Sequence, residues 1–228
     1  MEIIASNNDN LLMTIRSAIE DISETEGINY LQEYFSPSKP FYTGSHFESL
    51  EADNNPEDRI TGSDLYAVAT LNTPIKRQAA MGILITNADE INALLSKVTN
   101  KKLGTLTSAE FSEHLGPASP AMRLWDSLRR NNMPRDEKWG IGPTRASKIM
   151  ARKRPHLIPI NDRVIREVID KRPSESDWEL WWEALTVDDY LEKRAQKLRE
   201  SINQPELSTL RVLDVLLWMS GTKGFHSK

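Results

Sequence analysis

The chain contains no cysteine. That excludes a disulfide framework, a Cys-ligated zinc and an iron–sulfur cluster. No run approaches the roughly 18 apolar residues that a membrane-crossing helix needs. The opening MEIIASNNDN lacks the basic start and long apolar stretch of a secretory signal, so the chain reads as a mature cytoplasmic protein. Overall positive charge is also missing. The net charge is −4, which speaks against a generally basic nucleic-acid coat. There is no internal repeat and no low-complexity tract. No residue pattern calls for a metal or a cofactor, and the chain is expected to be a monomer. The remainder is an ordinary globular composition, 39% hydrophobic and 27% charged over 228 residues. That is enough for one large domain or two small lobes with a sizeable core.

The charge is unevenly distributed. Ala121 to Arg172 holds 14 Lys or Arg against 6 Asp or Glu, a net +8, and the rest of the chain carries −12. A basic segment inside an acidic protein can neutralise phosphates while the remainder keeps it soluble. It can equally be a solvated helix face that is rich in Lys and Arg.

Helical signals dominate, and the expected fold class is all-α, with about ten helices. Thr61 can cap a helix, with Asp64 reaching back to its amide, Ile60 stapling onto Leu65, and Leu65, Val68 and Leu71 at helical spacing. Helices are expected near 76–84 and 88–98, with Ile83-Leu84-Ile85 ambiguous with a strand, and at Ser108–Leu115 and Pro120–Arg130. Ser176 and Glu179 make a further capping box. Trp178, Trp181, Trp182 and Leu185 then follow at i, i+3, i+4 and i+7, which suits core packing better than a base-stacking platform. A charged helix spans Asp188 to Ile202. Pro205 opens a last helix that runs through Trp218 and ends at Gly221. Ser36 to Pro56 is loop-rich. There Tyr42, His46, Phe47 and Glu48 are candidates, with Trp139, to line a pocket for an extruded base. An irregular loop pinned to a helical core is the plainer reading of each.

The stretch most suggestive of chemistry is Trp139-Gly140-Ile141-Gly142-Pro143-Thr144-Arg145-Ala146-Ser147-Lys148-Ile149-Met150. Two glycines flank one apolar residue, Pro143 suits a first helical turn, and an amphipathic helix follows. A backbone turned this way offers amides at a helix N-terminus, where the helix dipole favours an anion such as a DNA phosphate. Gly140, Ile141, Gly142, Thr144, Arg145 and Lys148 are the candidate DNA contacts. Beyond Arg152-Lys153-Arg154, Pro155 to Ile160 leads to Asn161 and to Asp162, which is placed to open the next helix.

Here the sequence resembles the helix-hairpin-helix (HhH-GPD) DNA glycosylases, the superfamily of endonuclease III, the adenine glycosylase and the 8-oxoguanine glycosylase. The likeness covers about 35 residues: the Gly140-Ile141-Gly142 hairpin, its helix, and Pro159-Ile160-Asn161-Asp162-Arg163-Val164, with Asp162 lying 22 positions after Gly140. The whole chain is also similar to a group of actinobacterial proteins of unassigned function sharing a tyrosine-glycine segment and Ile60-Thr61-Gly62-Ser63-Asp64-Leu65.

The superfamily resemblance implies two helical lobes flanking a DNA cleft, one of about 57–159 and one of 1–56 with 160–228. It implies double-stranded DNA as partner, phosphate held at Gly140 and Gly142, and Asp162 as the catalytic carboxylate. The lysine that forms a Schiff base in many members is replaced by Thr144, which points to a monofunctional, water-using glycosylase. The family's histidine two positions after the Asp is replaced by Val164, and a polar loop, Asn131 to Lys138, precedes the hairpin.

Glu48, His46 or Asp53 would protonate the leaving base. The base itself is not legible. A damaged base and a bulky modified one from phage DNA are the two alternatives, the latter making the protein a defence factor. The competing expectation is a noncatalytic hairpin that holds DNA or RNA while Asp162 only caps its helix. An all-α regulatory protein whose basic stretch binds a protein partner is the third reading.

Overall fold

The computed structural model describes residues 15–38, 42–130, 133–134, 137–169 and 177–226, with side chains to residue 223. Among the described residues every regular element is helical and there is no strand. No helix is long and apolar enough to cross a membrane. The helices are α1 (15–20), α2 (Glu24–Tyr34), α3 (Gly62–Thr70), α4 (Arg77–Met81), α5 (Ala88–Leu95), α6 (Ser108–Leu115), α7 (Pro120–Arg129), α8 (Pro143–Lys153), α9 (Arg163–Val168), α10 (Asp177–Thr186), α11 (Tyr190–Ser201) and α12 (Thr209–His226).

Local chemistry sets many of the starts. Thr61 and Asp64 form the expected reciprocal capping box of α3, and Ser23 with Glu26 and Thr107 with Glu110 do the same for α2 and α6. Ser119 caps α7, with Pro120 in its first turn. Ser176, expected in the box before α10, lies outside the described residues. The ambiguous Ile83-Leu84-Ile85 is helical, within a π-helical turn Gly82–Thr86 that continues α4.

The chain forms two compact units. The first comprises the described parts of Met1–Tyr42, Lys102–Thr105 and Pro159–Lys228; the second comprises Thr43–Lys101 and Leu106–Ile158. The boundaries fall at 42/43 and 158/159, against the expected 56/57 and 159/160. The loop 43–56 thus groups with the helices around α8, and Lys102–Thr105 joins the first unit.

In the first unit α12 packs against α2, α9 and α11. Gly27 of α2 lies against Leu198 and Leu216, where a Cβ would meet their methyls at 3.3–3.4 Å. Gly221 does not end α12 as expected. It is an interior residue on which α9 rests: a Cβ there would approach Val164 Cγ1 to 2.5 Å and Val168 Cγ2 to 2.7 Å. The start is also later than expected, at Thr209, with Ser208 Oγ accepting from the Arg211 amide (3.1 Å). Trp178, Trp181 and Leu185 are buried in the core, and Trp182 is half-buried, as the stripe predicts.

In the second unit α3 packs on α8, α5 and α8 on α7, and α6 on α7. Its interior is unusual in holding charge. Asp64 is fully buried, and Arg152, Lys153 and Arg154 near the end of α8 are buried with it. Arg152 Nε donates to Asp64 Oδ1 (3.2 Å), and Lys153 Nζ lies 2.7 Å from Asp64 Oδ2. The same carboxylate accepts from the Thr61 amide (2.8 Å) and from Asn55 Nδ2 (2.8 Å). Backbone carbonyls satisfy much of the remaining donor capacity. Arg152 donates to Phe47, Glu48 and Leu50, and Lys153 donates to Pro56. Arg154 donates to Leu95 and Val98, just where α5 ends. Cations at a helix C-terminus meet orphan carbonyls and the negative end of the dipole. Burial pushes the Lys153 ammonium below the usual lysine range, with the Asp64 carboxylate opposing the shift.

Candidate nucleic-acid interface and carboxylate site

The Trp139–Pro143 turn is anchored from both sides. Trp139 is buried and lies on Gly82, where a Cβ would come within 2.4 Å of its ring. The Arg130 guanidinium lies 4.7 Å from the Trp139 ring centroid. Ile141 is buried and pins the tip to the core. Gly140 is exposed with φ +73°, a left-handed conformation that a side chain makes costly. Gly142 has ordinary extended backbone (φ −89°, ψ −179°) and is the N-cap of α8, with no side chain to fill that role. Among the described residues nothing stands within 4 Å of where its Cβ would be. The Thr144 and Arg145 amides lie in the first turn, beyond the reach of any intrahelical acceptor. An open, glycine-capped helix end of this kind suits an external anion.

The cations near this turn are not those expected. Lys148 is 2% exposed, and its Nζ donates to the Leu71 carbonyl (3.2 Å) at the end of α3. Its placement as a DNA contact is therefore corrected: its charge is turned inward to cap another helix. Arg145 lies back across the turn, donating to the carbonyls of Pro74 (3.0 Å) and Gly140 (3.5 Å). Among the described residues, Lys76 is an exposed cation brought beside the turn, its Nζ 3.5 Å from the Cβ position of Gly140. Sequence reasoning missed it, because Lys76 stands 64 positions before Gly140 and only tertiary packing joins them. The basic segment is likewise reduced as a surface. With Lys148, the Arg152-Lys153-Arg154 run is buried and binds the protein's own carbonyls.

Two of the candidate base-pocket aromatics, Phe47 and Trp139, are buried. Phe47 is 1% exposed and sits in the core of the second unit, and Trp139 lies against Gly82. Loop 47–50 is held through its carbonyls by Arg152, which draws Phe47 inward. Tyr42 belongs to the first unit, where it stacks on Tyr34 (centroids 5.3 Å apart) and meets Trp218 edge-on (5.8 Å). Its hydroxyl donates to Glu33 (2.9 Å). His46 is exposed at the end of a 3-10 turn, Thr43–His46, Asp53 is also exposed, and Glu48 is half-buried.

Asp162 is the N-cap of α9, as expected, with Oδ1 accepting from the Val164 amide (3.0 Å). It lines a small cavity of the first unit, of about 10 Å³, with Ile160, Asn161, Arg166, Asp177 and Trp181 among the other walls. That is about the space of one water molecule. Asn161 is buried between two charged partners: its Oδ1 accepts from Arg166 Nη1, and its Nδ2 donates to Asp177 Oδ2. Arg166 and Asp177 were not anticipated. Arg166 stands at helical spacing after Asp162, a signal the sequence did contain, whereas Asp177 reaches the site only through the packing of α10.

Among the described residues no cluster of His, Cys, Asp and Glu has the makings of a metal site. No curated protein and no solved structure matches this chain. The profile of a family of unknown function, DUF6308, matches residues 27–221. That span takes in the glycine turn, α8, Asp162, all of the second unit and most of the first, and the chain belongs to this family.

Proposed function

We propose that this chain is a DNA-binding protein of the helix-hairpin-helix glycosylase type, acting as a monofunctional DNA N-glycosylase on a damaged or modified base in duplex DNA. The observation that carries the reading is one continuous stretch. A left-handed Gly140 and a side-chain-free Gly142 open α8, the chain returns through Pro155–Ile160, and Asp162 caps α9 beside a water-sized cavity. The first part offers backbone amides and Lys76 to a phosphate. The second offers a fixed carboxylate to an extruded nucleotide.

In the proposed reaction the bond from the sugar C1′ to the base nitrogen breaks, and its electron pair leaves with the base, which takes up a proton. Positive charge developing on the sugar is stabilised by the Asp162 carboxylate. Water supplies the oxygen that bonds to C1′, its proton passing to a base such as Asp162, and an abasic site remains. The Val164 amide holds the carboxylate oriented before the charge develops. Thr144, where a lyase would carry its Schiff-base lysine, favours water over an enzyme amine as nucleophile. A protein acting this way would be nucleoid-associated when bound to DNA. With Phe47 and Trp139 in the core, the 43–48 loop gives no argument for a bulky phage base over a common lesion.

One observation favours a second, noncatalytic reading. Asp162 is already accounted for as a helix cap, and the cavity beside it is far smaller than a base. The deciding experiment incubates the full chain with duplexes carrying uracil, alkylated, oxidised and phage-type modified bases, followed by alkali, with Asp162→Asn in parallel. Cleavage only after alkali, abolished in the variant, supports the glycosylase. Salt-dependent binding by both proteins with no cleavage supports a noncatalytic hairpin, and no binding at moderate salt removes both readings.

A further inference from the structure

We propose that the cavity beside Asp162 is a water site built by Asn161, Arg166 and Asp177, and that Asn161 is the positioning residue which fixes both this water and Asp162. The role in turnover rests on the glycosylase reading; the water site does not.

Asn161 carries the argument. A guanidinium only donates and a carboxylate only accepts, so contact with Arg166 on one side and Asp177 on the other sets the orientation of its amide without ambiguity. The residue is 7% exposed and directly precedes Asp162. Its side chain ties the start of α9 to Asp177, the first residue of α10, and to Arg166 one turn into α9. Fixing Asn161 therefore fixes the backbone from which the Asp162 side chain leaves. The Val164 amide then fixes the carboxylate itself.

The walls of the cavity match a water's needs. Asn161 and Arg166 bring donors, Asp162 and Asp177 bring acceptors, and Ile165, Leu180 and Trp181 close the apolar side. A space of about 10 Å³ admits one water and requires two to four polar partners to hold it, which this lining has. In a water-using glycosylase, a water held against Asp162 is in place to act as the nucleophile.

The test is a high-resolution crystal structure of the full chain, of Asn161→Leu and of Arg166→Met, with melting curves to verify folding and with kinetics on whichever duplex the wild type cleaves. One ordered water is expected within about 3 Å of Asp162 and of Asn161 or Arg166, absent in Asn161→Leu. The kcat of Asn161→Leu should fall by about 10- to 100-fold, as for misplacement of a catalytic group, with KM and DNA affinity within about twofold. If Asn161→Leu does not fold, Arg166→Met, with Arg166→Lys as the conservative rescue, carries the same comparison. A dry cavity, an ion in place of the water, or wild-type kcat in a folded variant overturns the proposal. A wild type without turnover but with the water in place, lost in Asn161→Leu, sinks the glycosylase reading while upholding the water site.

Discussion

Helices α8 and α9 begin 20 residues apart and treat charge in opposite ways. α8 opens on a bare glycine, with no side chain to satisfy its first amides, and carries its cations inward. Lys148, Arg152, Lys153 and, just past its end, Arg154 are all buried against carbonyls of the same unit. α9 opens on Asp162, which supplies its own anion, and Arg163 points to solvent with 79% of its side chain exposed. One helix end has no side-chain cap, and the other caps itself. A high count of Lys and Arg is therefore a poor guide to where a phosphate binds. On the proposed DNA-binding reading, the glycine cap and the exposed Lys76 are the better guide.

The largest effect is expected where α8's inward charge is balanced. Asp64→Asn keeps the shape but leaves Arg152 and Lys153 without their buried anion, a change that typically costs about 3–5 kcal/mol. Urea denaturation measures it. A loss below about 1 kcal/mol would show that the loop carbonyls balance these cations without the carboxylate.

Removing α9's own anion separates capping from chemistry. Asn caps about as well as Asp, so Asp162→Asn should melt within a few degrees of wild type, whereas Asp162→Ala should lose about 1 kcal/mol. Turnover should be lost in both, with DNA affinity retained. Equal activity in Asp162→Asn would reduce Asp162 to a cap.

The converse change gives α8 an anion. Gly142 has an extended backbone and open space at its Cβ, so Gly142→Asp should fold and gain a few tenths of a kcal/mol as a cap. Its carboxylate would occupy the phosphate position, so DNA affinity should fall and the salt slope should flatten by about one phosphate contact. Lys76→Ala should weaken binding in the same sense and more gently. Gly140→Ala, at φ +73°, should instead cost about 1–2 kcal/mol of stability.

The smallest effect concerns α6, whose start is held by the Thr107–Glu110 capping box. Lys101, with the Thr107 amide and hydroxyl, holds the Glu110 carboxyl down to about 2, below the ordinary 4.5. The folded-state pKa is depressed, so the stability this group contributes is complete above about pH 4.5 and is lost as pH falls toward 2. Glu110→Gln should therefore melt below wild type at neutral pH, with the gap closing over that acid window. A gap that does not depend on pH would remove the charge from the explanation.

The helical class, the starts of α3, α6 and α7, the apolar stripe of α10 and the capping role of Asp162 were legible in the sequence. Each depends on neighbours within four residues, where cap chemistry and helical periodicity act. Distant partners decided the rest. Gly221 looked like a terminator, but it is interior because Val164 and Val168 of α9 need the room. Phe47 looked like a pocket aromatic, but three carbonyls around it are held by Arg152, about a hundred residues away, and it faces the core. Lys148 looked like a phosphate ligand, but it lies under the end of α3. Sequence alone determined which residues cap, turn and coil, because those energies are local. Only the tertiary structure decided which charges face water, because the partner that buries a cation can stand anywhere along the chain.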